Sequence, residues 1–155
     1  MIILGLDPGI ARTGYGIINT KEIHQFVQCG CITTLPIHAL EHRLNDIADD
    51  LTSIITTHRP DIAIVEEIFF GKNAKTAIST AHVRGVLLQI LTAHHIPIQG
   101  LTPLQIKSRL TGYGAATKAQ IQHVITRQLH LSHIPQPDDA ADALAAALCA
   151  TTTTI

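Results

Sequence analysis

Short apolar runs bounded by turn residues recur along the chain, and runs of this kind are typical of β-strands. Five of them predict strands, at residues 2–7, 14–19, 24–34, 61–68 and 96–101. The Pro8-Gly9 turn lies between the first two runs, so these two strands are predicted to pair antiparallel.

Longer segments carry apolar residues at the spacing of an amphipathic helix, as Leu40, Leu44 and Ile47 do. Helices are predicted within residues 38–60, 73–95, 103–111, 117–130 and 137–150. Asn73 is a candidate N-cap of the second helix, and Pro137 suits the first turn of the last one.

The order of these elements predicts the fold class. Three strands followed by alternating helices and strands indicate an α/β fold, with a mixed β-sheet flanked by helices. No repeat, linker or low-complexity block divides the 155 residues. We therefore expect one domain over residues 1–150 and a frayed tail over residues 151–155.

Composition restricts the class of protein. Hydrophobic residues make up 46% of the chain and charged residues 15%, which favours a folded core over disorder. The three cysteines are an odd number and no signal peptide precedes the first strand, so a reducing, cytoplasmic location is expected. Cys29 and Cys31 are predicted to be small buried residues rather than zinc ligands. No apolar run is long enough to span a membrane.

The net charge of −1 hides an uneven distribution. Residues 68–137 contain no Asp or Glu, although they contain seven basic residues. These are Lys72, Lys75, Arg84, Lys107, Arg109, Lys118 and Arg127. A half with only basic charges favours a polyanionic partner such as a nucleic acid, with a solvated basic helix face as the alternative.

Acidic residues occur at the ends of predicted elements, where burial is expected. They are Asp7 after the first strand, Glu66 and Glu67 after the fourth, and Asp138, Asp139 and Asp142 in the last helix. Spacing alone does not choose between Glu66 and Glu67, or between Asp138 and Asp139, which also suit the helix dipole. A buried carboxylate without a basic partner is costly, so these acids predict a bound cation.

The chemistry of such a cluster is that of a metal-dependent nuclease. Carboxylate oxygens favour Mg²⁺ or Mn²⁺. Two such ions can activate a water molecule and stabilise the leaving oxygen of a phosphodiester, while basic residues hold the nucleic-acid backbone. Metal-dependent phosphodiester hydrolysis accounts for the acidic and the basic features together.

Five segments resemble one family in order and spacing across nearly the whole chain. They are "GLDPGIARTGYG", "VEEIFFGKNAKTA", "HVRGV", "LQIKSRLTGYGAATKAQIQHVI" and "PDDAADALAAAL". Together they are similar to the RuvC family, the bacterial Holliday-junction resolvases. The resemblance implies a ribonuclease-H-like fold and a homodimer that makes paired nicks across a four-way DNA junction with Mg²⁺. It also implies work alongside the RuvA–RuvB branch-migration complex in recombination and repair.

The resemblance also implies particular site residues. The family's acids fall on Asp7, Glu66, Asp139 and Asp142, as catalytic residues and metal ligands. Some members have His at the position of Asp139. Lys107 and Lys118 fall where the family has basic residues that are important for DNA.

A short segment after the fourth strand completes the predicted DNA-binding set. Phe69 is the one of two adjacent phenylalanines that the resemblance favours for stacking on a base, with core packing as the alternative. Lys72 adds a basic side chain, and Asn73 at a helix start can present amide groups to a phosphate.

Two other classes of protein share the opening motif. One is a small ribonuclease-H-like family that processes ribosomal RNA precursors, which shares the Asp of the first strand. The other is the phosphate-binding lobe of actin-like ATPases and sugar kinases, which need two such lobes. The basic half and the acidic last helix favour the junction nuclease.

Overall fold

The computed structural model describes residues 1–21, 25–68 and 74–150, and the side chains of residues 74–76 are not described. The strands are β1 Ile2–Asp7, β2 Arg12–Asn19, β3 Gln25–Thr33, β4 Ile62–Glu66 and β5 Ile98–Leu101. The helices are α1 Leu40–His58, α2 Ala74–Ala93, α3 Pro103–Thr111, α4 Lys118–Gln128 and α5 Asp138–Cys149. All ten elements were predicted from sequence, and the differences lie at their ends. The predicted tail 151–155 and the candidate cap Asn73 lie outside the described residues.

The strands form one five-stranded sheet in the order β3-β2-β1-β4-β5. β1 and β2 are antiparallel, as are β2 and β3, whereas β1, β4 and β5 are parallel. The predicted mixed sheet is therefore confirmed. Because parallel strands end at the same edge, the carboxyl ends of β1, β4 and β5 lie together.

Two hydrophobic clusters cover the two faces of the sheet. Ile3 and Ile64 pack with α3, α4 and α5 on one face. Leu4 and Val65, one residue further along each strand, pack with α1 and α2 on the other. Successive side chains of a strand point to opposite faces of the sheet, so neighbouring residues pack against different helix layers. Within the described ranges, no helix combines the length and apolar character needed to cross a membrane.

Helix α5 packs directly on the backbone of β1 and β2 because glycines stand beneath it. A Cβ added to Gly5 would overlap the backbone of Ala143, and one added to Gly16 would stand 2.7 Å from the backbone nitrogen of Leu144. Gly5 and Gly16 are cross-strand partners in the β1–β2 register. Small residues on both sides, glycine in the strands and alanine in the helix, therefore fix the height of α5 above β1 and β2.

The structure corrects one prediction about the core. Cys29 and Cys31 are only partly buried, whereas Cys149 is fully buried, and all three are free thiols. The two partly buried thiols belong to β3, which is an edge strand of the sheet. An edge strand has no neighbour to cover its outer side, so its residues retain solvent access.

Candidate active site

Two carboxylates stand side by side where β1 and β4 end. The parallel register pairs Leu6 with Val65, so Asp7 and Glu66 follow at the next step of each strand. Both lie on the face that carries Ile3 and Ile64, since they are separated from these residues by an even number of positions. Asp7 and Glu66 therefore point toward the layer that contains α5.

The structure distinguishes Glu66 from its neighbour. The Glu67 side chain lies over Gly100, whose added Cβ would stand 2.5 Å from Glu67 Oε1. The backbone N–H of Glu67 donates to the carbonyl oxygen of Leu101 at 2.8 Å. Glu67 thus continues the strand pairing while its carboxylate turns to the opposite face, so that Glu66, and not Glu67, lies on the same face as Asp7.

The first turns of α5 bring two more acids to the same place. Asp139 faces β2, where its Oδ2 lies 3.3 Å from Nε of Arg12. Asp138 turns instead toward α4, where Gln122 Nε2 donates to its Oδ1 at 3.4 Å. Besides burial, the negative charges of Asp142 and Asp139 raise the pKa of Asp7, while both Asp138 and Asp139 add to the raised pKa of Asp142. Geometry therefore favours Asp139 over Asp138 as a member of the cluster.

Burial and mutual repulsion change the proton affinities of this cluster. Burial raises the pKa of Asp7 to about 8, and the negative charge of Glu66 adds to the rise. Burial likewise raises the pKa of Glu66 to about 7, with Asp142 adding to it. Among the described residues, neither the Asp7 nor the Glu66 carboxylate has a hydrogen-bonding or ion-pair partner. Unpartnered, repelling carboxylates are stabilised by a cation.

Two lysines reach the cluster from the next two helices. Thr102 caps α3 and Thr117 caps α4, each through a reciprocal capping box with the glutamine three residues later. Lys118 is the first residue of α4, and its ammonium lies 3.1 Å from Asp138 Oδ2 and 3.3 Å from Asp142 Oδ2. Lys107 on α3 lowers the pKa of Glu66.

An open cleft of about 230 Å³ joins these groups. Its polar lining consists of Glu66, Lys107, Lys118 and Asp142, and its apolar lining includes Ile106 and Ala145. The structure thus brings both sequence-predicted lysines to the predicted acids. Anionic and cationic side chains in one cleft suit a ligand that carries phosphate together with a metal ion.

The donor set fits a hard divalent cation, although the acids are not gathered around one point. Oxygen donors without basic partners, as at Asp7 and Glu66, are the ligands that Mg²⁺ and Mn²⁺ favour. In the described part of the chain, no three Asp, Glu, His or Cys side chains converge into a ready-formed cation site. Arg12 and Lys118 are paired with the acids of α5 instead.

Sequence reasoning missed two neighbours of the cluster. Arg12 pairs with Asp139, and the thiol of Cys31 lies near the same acid. Burial, with a contribution from Asp139, raises the pKa of Cys31 to about 11, so this thiol stays protonated at neutral pH. Cys31 lies near the acids because Gly14 is the cross-strand partner of both Asp7 and Cys31, and a strand register is not visible in the sequence pattern alone. The predicted DNA-binding residues Phe69, Lys72 and Asn73 lie outside the described residues.

Comparison with known proteins identifies the family. Residues 3–150 match the family model described as "Crossover junction endodeoxyribonuclease RuvC". The chain belongs to the RuvC family. A curated RuvC from Caldicellulosiruptor saccharolyticus is 46% identical over 151 residues, which are 96% of this chain and 91% of that protein.

Solved RuvC structures share the fold. The Thermus thermophilus RuvC structure matches with a TM-score of 0.91 at 27% identity, covering 98% of this chain and 94% of the other. T. thermophilus RuvC in complex with Holliday junction substrate matches with a TM-score of 0.93 at 28% identity, covering 98% and 93%. The ribonuclease-H-like fold expected from sequence is thereby confirmed, and the chain is a nuclease of the RuvC family. This family membership excludes the ribosomal-RNA and actin-like alternatives.

Proposed function

We propose that this chain resolves Holliday junctions by hydrolysing one phosphodiester in each of two strands, with Asp7, Glu66, Asp139 and Asp142 as its catalytic acids. One observation carries the proposal. Asp7 and Glu66 are partly buried at neighbouring strand ends and form no ion pair among the described residues, and Glu66 lines a cleft with Asp142, Lys107 and Lys118. RuvC enzymes are metal-dependent nucleases, and this arrangement suits one.

The acids would hold the metal. Asp7 and Glu66 supply oxygen ligands from two fixed strand ends, and Asp142 and Asp139 supply others from α5. We infer Mg²⁺, or Mn²⁺, with two ions per site, because four carboxylates offer more ligands than one such ion takes from a protein. Metal held by these acids would supply polarisation of the phosphate and a nucleophilic water.

The basic side chains would hold the DNA. Lys118 and Lys107 project into the cleft, so each is placed to contact a backbone phosphate next to the acids. Lys72 and Asn73 extend the proposed contact, and Phe69 is proposed to stack on a base at the opened crossover.

Paired cuts require two equivalent sites. A four-way junction presents two like strands related by approximate two-fold symmetry, and a two-fold dimer presents two like sites. We therefore propose a homodimer as the functional form. Work alongside the RuvA–RuvB branch-migration complex is proposed from the family resemblance, as is a cytoplasmic location.

Cutting assays on synthetic substrates test this function. Equal concentrations of a four-way DNA junction, the corresponding linear duplex and a structured RNA are incubated with the protein and Mg²⁺. We expect symmetric nicks in the junction only, and none in EDTA. Comparable cutting of duplex or RNA would refute junction specificity, and cutting in EDTA would refute the metal mechanism.

A further inference from the structure

The acids of the active site are neutralised unequally by side chains of the chain itself. Asp139 pairs with Arg12, and Asp142 shares Lys118 with Asp138, whereas Asp7 and Glu66 have no such partner among the described residues. Both cations come from elements other than α5: Arg12 is the first residue of β2 and Lys118 the first of α4. They therefore approach the acidic start of α5 from two sides.

A carboxylate oxygen that accepts an ion pair is less available to a metal. The Nε atom of Arg12 lies 3.3 Å from Oδ2 of Asp139, and both side chains retain solvent access, at 57% and 31% exposure. The guanidinium can therefore swing into solvent without leaving a buried charge behind. Such an exposed pair is weak, so it competes with a divalent cation without preventing its binding.

We infer that Arg12 is a positioning residue of the active site, which holds the Asp139 carboxylate until a metal ion replaces it. This inference rests on the proposed metal site. It explains why no three acids of the described residues converge into a formed site, since two of the four proposed ligands are drawn toward Arg12 and Lys118. On metal binding, the metal ion would replace the Arg12 guanidinium as the positive charge beside the Asp139 carboxylate.

Arg12 gives a cleaner test than Lys118. Lys118 pairs with both Asp138 and Asp142, so replacing it removes the cation of two acids together. Arg12→Gln removes the cation of one acid only. Mn²⁺ affinity is measured without DNA, by the electron paramagnetic resonance of free Mn²⁺, in the wild type, Arg12→Gln, Asp139→Asn and the double variant. We expect Arg12→Gln to bind Mn²⁺ about two- to five-fold more tightly, the range for losing an exposed ion pair.

The double variant separates competition from a general loss of positive charge. If Arg12 acts through Asp139, Arg12→Gln has no further effect in the Asp139→Asn protein. Lys107→Gln is the charge control, because Lys107 lowers the pKa of Glu66 without an ion pair to any described acid. If the Asp139→Asn protein binds too little Mn²⁺ to measure, the single variants are compared instead. The inference then requires a larger gain in Mn²⁺ affinity from Arg12→Gln than from Lys107→Gln.

Two results would overturn the inference. One is Mn²⁺ affinity in Arg12→Gln that is unchanged, weaker, or raised no more than in Lys107→Gln. The other is equal tightening by Arg12→Gln in the presence and absence of the Asp139 carboxylate. Asp7→Asn tests the metal site itself: if that variant binds Mn²⁺ as the wild type does, the proposed site fails, whatever Arg12 does.

Discussion

Gly14 on β2 lies directly against the backbone of Asp139 on α5, so closely that a Cβ at this glycine would overlap the Asp139 carbonyl oxygen. The same glycine is the cross-strand partner of Asp7. One residue without a side chain thus sets how near an acid of the helix comes to an acid of the sheet.

Replacing this glycine should separate the two acids. Gly14→Ala forces α5 away from β2, and we expect a loss of about 1–3 kcal/mol in the free energy of unfolding, as for other overpacked sites. Junction cleavage should fall by more than the stability loss explains, because a displacement of about 1 Å can cost roughly a hundredfold in rate. Thermal melting and cleavage rates measure the two effects.

Gly85→Ala is the matched control. An added Cβ at Gly85, within α2, meets nothing within 4 Å among the residues that the structure describes. Alanine there should be neutral or stabilise the helix by about 0.5–1 kcal/mol. Equal melting losses in the Gly14→Ala and Gly85→Ala proteins would contradict the close-packing account.

The metal-free protein should be more stable without the Asp7 carboxylate. The pKa of Asp7 is raised from 3.8 to about 8, so the folded state holds a proton that the unfolded state has lost. The stability from this proton is complete below pH 3.8 and is lost as the pH rises through about 8. One pKa unit corresponds to about 1.4 kcal/mol, so Asp7→Asn should melt several degrees above the wild type at pH 8 in EDTA.

This stability difference should shrink as the pH is lowered toward 4. Saturating Mg²⁺ should reverse it, because the ion binds the folded wild type and stabilises it. Asp50→Asn, at an exposed position of α1, is the control and should not change the melting temperature. If Asp7→Asn melts below the wild type in EDTA at pH 8, the buried Asp7 carboxylate does not destabilise the folded protein, and this prediction is wrong.

Neutralising Lys118 or Lys107 should weaken junction binding and reduce its dependence on salt. For each phosphate that the variant no longer neutralises, the slope of log affinity against log salt should fall by roughly 0.9. Lys21→Gln is the control variant. Lys21 is exposed and lies just after the end of β2. The last residue of β2, Asn19, pairs with the start of β1, at the opposite end of that strand from Asp7. An unchanged slope in Lys118→Gln would make this lysine an ordinary surface charge.

Phe69→Ala tests the proposed stacking residue. Truncation of a core phenylalanine would cost about 3–5 kcal/mol of stability. A stacking role predicts normal melting together with slower cleavage of an intact junction, since unstacking a base step costs a few kcal/mol. A junction nicked at the crossover should then recover much of the rate. A large melting loss with equal defects on both substrates would assign Phe69 to the core, and Phe70→Ala is the parallel variant.

The sequence predicted each strand and helix found among the described residues, because apolar periodicity and turn residues report local structure directly. It did not decide between Glu66 and Glu67. Adjacent strand residues point to opposite faces of the sheet, and the sequence pattern does not show which face α5 will cover. It also missed the Arg12–Asp139 ion pair, which joins residues far apart in the chain. The close approach at Gly14 depends on tertiary packing of α5, and a glycine in a sequence does not show what will lie over it.

The pair Glu66→Gln and Glu67→Gln tests the central claim most directly. The two residues are adjacent, the substitutions are identical, and the side chains lie on opposite faces of the sheet. Cleavage of a four-way junction in Mg²⁺ is measured for both proteins beside junction affinity. We expect Glu66→Gln to bind the junction but to lose cleavage by at least about 10²–10³-fold, the effect of removing one preorganised electrostatic group. Glu67→Gln should cut within a few-fold of the wild-type rate. Wild-type cleavage by Glu66→Gln, or an equal loss in both proteins, would contradict the account.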